Sequence, residues 1–240
     1  MFESMSSIGE LPNLENTTAK ARGSTVGSRV FEALRLAIVQ LRLRPGNSLS
    51  EAEVARQLGV SRQPVREAFI KLAEVGLVEV RPQRGTFVVM ISIHEVQNAR
   101  FVREAIEVAV VRKAAIAAAP AAVAELERIL ALQRQASSAG DHVGFLALDE
   151  DFHEALAHGA ECDYAWRVVE NLKAQMDRVR YLSMPNATPI ETLIAQHAAI
   201  VEAVARHSPD EAEAAMRAHL SEILMSLPKL ANRFPELFAN

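Results

Sequence analysis

Residues 51–89 read EAEVARQLGVSRQPVREAFIKLAEVGLVEVRPQRGTFVV, and the rest of the chain is organised around them. In 51–58 the apolar residues Ala52, Val54, Ala55 and Leu58 recur at helical spacing, and Gly59 supplies the positive-φ stop that helix ends commonly use. Ser61 is placed to cap a second helix, with Pro64 in its first turn, where a missing N–H costs little. Val65, Ala68, Phe69 and Leu72 then follow at i, i+3, i+4, i+7, one apolar stripe. After Gly76, the segments 77–80 and 86–89 are β-branched and apolar and flank Arg81-Pro82-Gln83-Arg84-Gly85. The pattern predicts helix, turn, helix and a hairpin with a basic tip.

Arg62, Gln63 and Arg66 lie at the start of the second helix, off its apolar stripe, where a helix-turn-helix presents side chains to the major groove. Arginine pairs with phosphate or grips guanine bidentately, and glutamine can bond the adenine edge. Solvated arginines on a surface turn would satisfy the same spacing. The glycine turn, the serine cap and the basic hairpin, in this order, favour DNA.

Working outward, residues 1–24 are rich in Ser, Thr, Asn and Gly without a sustained period, and are expected to form a mobile tail. Residues 25–41 carry Val26, Val30, Leu34, Ala37, Ile38 and Leu41 at helical spacing, and Pro45-Gly46 closes that segment. Ser50 is the expected cap of the helix at 51–58. The net charge of −4 over 240 residues is unevenly spread. Residues 25–90 hold ten Lys/Arg against six Asp/Glu, whereas residues 91–240 hold fourteen against twenty-one. A basic module joined to an acidic one suits a DNA reader with a separate sensing or assembly domain. The single cysteine, Cys162, excludes an internal disulfide and fits a cytoplasmic protein, and no apolar run approaches a membrane span.

From residue 92 onward strand signals vanish. Helical patterns run over 94–119, 120–138, 141–158, 163–183, 189–207 and 209–227. Thr188-Pro189-Ile190-Glu191 and Ser208-Pro209-Asp210-Glu211 each place a hydroxyl, a proline and a glutamate as a capping box requires. Short connections between long amphipathic helices predict an antiparallel bundle of six or seven helices. The fold class is therefore mainly α. A tail (1–24) precedes a winged helix-turn-helix domain (25–91) and an all-α domain (92–235), the separate sensing or assembly module.

Asp149 and His153 are i, i+4 on one helix and point to one side, while His197 and His219 lie on the last two helices at positions that permit a common level. One carboxylate and three imidazoles suit Zn²⁺, Ni²⁺, Mn²⁺ or Fe²⁺. By spacing alone the metal signal is weak, since lone helical histidines are usually surface or core residues with local partners. His94, His142, His158 and His207 fit no ligand pattern and read as structural or surface residues.

LGVSRQPVREAFIKLAEVGLVEVRPQRGTFV resembles the winged helix-turn-helix of GntR-type bacterial transcription regulators. The resemblance implies DNA contacts at Ser61, Arg62, Gln63 and Arg66, and a wing whose basic tip, with Arg84 and Gly85, approaches the minor groove. Two departures stand out: Ala52 occupies a position where many relatives have arginine, and Gln63 one where Thr or Ser is common. Further on, VREAIEVAVVRKAA, DEDFHEAL, NL, QHAAIVEAV and MRAHL resemble the C-terminal ligand-binding domain of the FadR branch. That implies a divalent metal, most simply zinc, on Asp149, His153, His197 and His219, and a small carboxylate effector. It also implies an effector contact from Arg103, whose local alternative is a salt bridge to Glu107 one turn on. Asn171 would bond ligand or metal-bound water, or serve as a buried structural amide.

The expected function is thus a metal- and ligand-responsive transcription regulator, not an enzyme. It would act as a homodimer setting two recognition helices on a near-palindromic operator. A mononuclear metal hydrolase would use the same ligands, but the chain has no HExxH and no Ser or Cys nucleophile with a placed base, and the winged helix would be unexplained. A regulator whose metal is purely structural is the third reading.

Overall fold

A computed structural model describes residues 11, 12, 14, 25–184 and 187–239. The expected mobile tail lies outside the described residues except for Leu11, Pro12 and Leu14, and Leu11 N donates to Gln57 Oε1 at 3.3 Å. The chain divides into two compact units, residues 1–92 with 235–240, and residues 93–234.

The first unit contains α1 (Val26–Val39), β1 (Ser48–Leu49), α2 (Glu51–Leu58), α3 (Arg62–Glu74), β2 (Val78–Arg81) and β3 (Gly85–Val88). Thr25 Oγ1 caps α1 by accepting from Ser28 N at 3.2 Å, and Ser50 Oγ faces Glu53 N at the start of α2. Gly59 ends α2 at φ 64°, and Val60 N reaches back to Ala55 O at 3.0 Å, the wrap that a left-handed residue allows. Val65, Ala68, Phe69 and Leu72 are all buried on α3, as its apolar stripe requires. The strands form an antiparallel sheet in the order β1-β3-β2, with Arg81 opposite Gly85 across the hairpin.

Three features differ from expectation. Strand β2 starts one residue later than expected, because Leu77 N is committed to Leu72 O at 2.9 Å in the wrap that ends α3, and β3 starts one residue earlier, at Gly85, which pairs with Arg81. The short strand β1, which pairs Ser48 with Phe87, carries no alternation long enough to read. The chain end also returns to this unit: Ile91 N bonds Leu237 O at 2.8 Å, Ala239 N bonds Ile91 O at 2.9 Å, and Leu237 and Phe238 are buried.

Among the described residues the second unit is all-helical: α4 (Ile93–Ala117), α5 (Pro120–Ser138), α6 (His142–Gly159), α7 (Asp163–Leu172), α8 (Ala174–Ser183), α9 (Ile190–Ala205) and α10 (Pro209–Arg233). Helix α10 packs along α4 and α9, and α5 along α6 and α9. Val111, Phe152, Leu156, Ile200, Val204 and Met216 meet in the core between them.

The helix expected over 163–183 is two helices, broken at Lys173 without glycine or proline. The Lys173 ammonium is buried there between Glu150 and Asp177, an arrangement with no local sequence signature. Helix α10 runs on past Pro228, whose missing N–H costs one internal hydrogen bond, while buried Leu227 and Leu230 anchor the helix on both sides. Neither expected capping box forms. Pro189, not Thr188, sits at the cap of α9, Glu191 accepts from Ser137 Oγ instead, and Ser208 makes no side-chain cap bond.

Candidate metal centre and nucleic-acid interface

Helix α6 carries Asp149 and His153 one turn apart, α9 brings His197 and α10 brings His219. All four are buried, and one ligand atom from each lies within 4.8 Å of the others. His219 Nε2 is 3.2 Å from His153 Nε2 and 3.4 Å from His197 Nε2, and Asp149 Oδ1 is 3.5 Å from His197 Nε2.

The opposite ring nitrogens face outward to fixed oxygens. His197 Nδ1 donates to Gln133 Oε1 at 2.8 Å, and His219 Nδ1 donates to Gln196 Oε1 at 3.1 Å. His153 Nδ1 lies against the Glu107 carboxylate as a close ion-pair contact rather than an aligned hydrogen bond. Each amide is itself oriented, Gln133 Nε2 by Leu148 O at 3.1 Å and Gln196 Nε2 by Glu222 at 3.3 Å. A neutral imidazole that donates from Nδ1 has only a lone pair at Nε2. Two such lone pairs, on His197 and His219, therefore converge beside the Asp149 carboxylate, and His153 Nε2 meets them at the same point. This donor set fits a divalent metal, and the outward acceptors are the second layer that metal-binding histidines use.

The electrostatics keep two of the ligands, His197 and His219, neutral. Burial first, then the charges of His153, Arg180 and Arg103, hold His197 well below the usual imidazole range. Burial and the neighbouring histidines do the same to His219. Burial pushes the Glu107 carboxyl up, but Arg103 and His153 outweigh it and hold it at about 2. Arg180 pairs with Asp149 and reaches Glu150 at 2.6 Å; burial, helped by the Arg103 charge, lowers it to about 9, still protonated at neutral pH.

Arg103 is buried and pairs with Glu107, the local alternative weighed for it, yet its Nη2 has no hydrogen-bond partner among the described residues. Arg103, Arg180, Asp149 and His219 line one pocket of about 40 Å³ together with Ser183 and Thr188. Asn171 requires a correction. It sits on the exposed side of α7, its Nδ2 on Arg167 O at 2.8 Å, and it is not among the pocket-lining residues. Buried Trp166 and Val169 set the inward face of α7, which turns Asn171 outward. Arg180, Gln133 and Gln196 were not singled out from sequence, since a buried polar residue on a helix looks like a surface one until its neighbours are known.

In the first unit, Ser61 occupies the cap position of α3 but makes no side-chain cap bond, which leaves its hydroxyl exposed beside Arg62. Gln63 Nε2 donates to Glu67 at 3.0 Å, and Arg66 grips Glu51 of α2 with Nε and Nη2 at 3.0 and 2.9 Å. At the hairpin tip Arg84 N closes the turn on Arg81 O at 3.0 Å, and Gly85 adopts φ 109°, closed to residues with a side chain. Arg81 is held by Glu79 and lies over the Phe87 ring, whereas Arg84 is exposed. The exposed polar starts of α3 and the basic tip belong to the same compact unit.

Comparison with known proteins agrees with both halves. Residues 27–88 match the description "Bacterial regulatory proteins, gntR family", and residues 99–222 match the FCD domain. The chain belongs to the GntR family of bacterial transcription regulators. It is 44% identical over 214 residues to the HTH-type transcriptional repressor RspR of Escherichia coli, covering 89% of this chain and 94% of that one. A Streptomyces ambofaciens HTH-type regulator in an unstable DNA locus is 36% identical, covering 92% and 93%. Among solved structures, E. coli McbR/YncC has the same fold, with a TM-score of 0.74 and 21% identity over 88% of this chain and 99% of that one. This regulator thus combines a winged helix-turn-helix DNA-binding domain with an FCD effector-binding domain. No helix among its described residues is long and apolar enough to cross a membrane.

Proposed function

We propose that this GntR regulator is a cytoplasmic, non-enzymatic homodimer that holds one divalent metal, most simply zinc, on Asp149, His153, His197 and His219 and senses a small carboxylic acid beside it. The observation that carries the reading is the convergence of three imidazole Nε2 atoms whose Nδ1 atoms are turned to Glu107, Gln133 and Gln196. Bound there, the metal supplies a positive charge and open coordination positions suited to a carboxylate. Around the histidines, Glu107, Asp149, Glu150 and Asp177 face Arg103, Lys173 and Arg180, four negative charges against three positive. A divalent cation turns that balance positive and favours an anionic guest. The unpartnered Arg103 Nη2 and the Arg180 guanidinium line the same pocket, and both suit a carboxylate.

Ser61, Arg62, Gln63, Arg66, Arg84 and Gly85 form the DNA surface, supported by their exposure on α3 and the hairpin tip. Effector changes operator affinity by binding the DNA-competent and DNA-incompetent arrangements unequally. The test is a thermal-shift screen of metal-loaded and metal-stripped protein against small organic acids, followed by operator titration with each hit. An acid that raises the melting temperature only with metal present and alters operator affinity supports the reading. Acids that bind equally well to stripped protein would make the metal purely structural.

A further inference from the structure

The contact between Arg66 and Glu51 crosses from α3 to α2 and uses a particular edge of the guanidinium. Nε donates to Glu51 Oε1 at 3.0 Å and Nη2 to Oε2 at 2.9 Å. A guanidinium has five N–H donors in one plane, and this carboxylate takes two of them from the inner edge. The outer edge, formed by Nη1 and the second N–H of Nη2, keeps three donors. That edge can span O6 and N7 of a guanine. Arg66 remains 59% exposed in this clamped position, so the free edge is open to a ligand.

Charge sorts the arginines of this surface further. The Arg66–Glu51 pair is formally neutral, which makes Arg66 a poor phosphate neutraliser. Arg62 and Arg84 are exposed and have no ion pair among the described residues; Arg62 feels the Glu51 charge only from beyond pairing distance, so both guanidinium groups stay open to the backbone. Gln63 is oriented in a similar way by Glu67, leaving its carbonyl and one N–H for a base edge.

We propose that Glu51 is a specificity-determining positioning residue: it fixes Arg66 as a guanine reader, while Arg62 and Arg84 anchor phosphates. The inference rests on α3 facing DNA, as argued above. Glu51 itself acts only through Arg66.

The experiment uses the full chain. Selection from random duplexes defines the wild-type operator, and binding is then measured over a salt series for wild type, Glu51→Gln, Arg66→Ala, the double variant and Arg62→Ala. Probes are the operator, its single-base-pair variants and an unrelated duplex. Glu51→Gln and Arg66→Ala should each lose about tenfold in operator affinity and relax preference at the same base pair, and the double variant should lose no more than Arg66→Ala alone. Arg62→Ala should lower the slope of log K against log salt by about one, and Arg66→Ala should leave it unchanged. Glu51→Gln should hold the unrelated duplex at least as well as wild type, since a negative charge is lost; this also reports an intact fold. Unchanged base preference in Glu51→Gln, or a slope lowered by about one in Arg66→Ala, overturns the inference and leaves the DNA surface standing. A wild-type selection that yields no motif overturns the placement of α3 against DNA, and the Glu51 role with it.

Discussion

His153 Nε2 lies 3.2 Å from His219 Nε2, although the two residues are 66 positions apart in the chain. His197 Nε2 is 3.4 Å from the same His219 nitrogen. A shared proton can satisfy only one of these pairs, whereas a metal ion satisfies all three lone pairs together.

His197→Ala and His219→Ala should each lose bound metal and lower the melting temperature. Metal bound only by the folded state at about a thousand times its Kd contributes roughly 4 kcal/mol, and the variants forfeit it. Elemental analysis of tag-free protein measures the loss. His158→Ala is the control, since His158 is exposed and bonded to Asp163 at 2.9 Å, and its metal content should match wild type. Full occupancy in the His197→Ala/His219→Ala double variant would place the metal elsewhere.

Gln133→Leu removes the fixed acceptor of His197 Nδ1 while keeping all four ligands. Metal affinity should fall by about 10- to 100-fold, with stoichiometry restored at saturating metal. Competition against a chromogenic chelator reads this directly. Wild-type affinity in Gln133→Leu would mean that the outward hydrogen bond does not orient the ring.

The pH dependence of the stripped protein follows from the two lowered histidines. In the unfolded chain His197 and His219 titrate near ~6.5, and in the folded protein burial and neighbouring positive charge hold them well below that. Below pH ~6.5 the unfolded state therefore binds protons that the folded state does not. Their contribution to stability is fully present above the unfolded pKa and is lost as pH falls through that value toward the folded one. Urea midpoints should hold steady above neutrality and decline as pH falls below about 6.5. A midpoint flat across that acidic range contradicts the assignment of neutral buried rings.

Glu107→Ala leaves the buried Arg103 guanidinium without its carboxylate. A loss of roughly 3–5 kcal/mol is expected, much of it regained in Arg103→Met/Glu107→Leu, which removes both charges. Chemical denaturation of the stripped forms measures both. Equal destabilisation in the single and double variants would show that packing, not charge, matters there.

Gln63→Thr should change the preferred operator more than the affinity for unrelated duplex. Glutamine can read adenine through two hydrogen bonds, whereas threonine offers one hydroxyl and a methyl. Selections from random duplexes should return different motifs for the two proteins.

Local signals determined the helices and the hairpin of the first unit, but not β1 or the return of residues 235–239 to it. Gly59 ends a helix wherever it sits, Ser61 and Pro64 mark a helix start, and the stripe Val65, Ala68, Phe69, Leu72 can face only one core. The same local logic placed Asp149 and His153 on one side of α6, because i, i+4 is a property of the helix itself. Tertiary structure alone decided the rest. Arg66 meets Glu51 across 15 residues, and His197 meets Gln133 across 64, distances over which no periodicity carries information. The break at Lys173 depends on Glu150 and Asp177 closing around a buried ammonium, so a continuous helix was the natural reading of 163–183. Asn171 was misplaced for a related reason: the face a short helix buries is set by Trp166 and Val169 docking on other helices, and the chain by itself does not say which face that is.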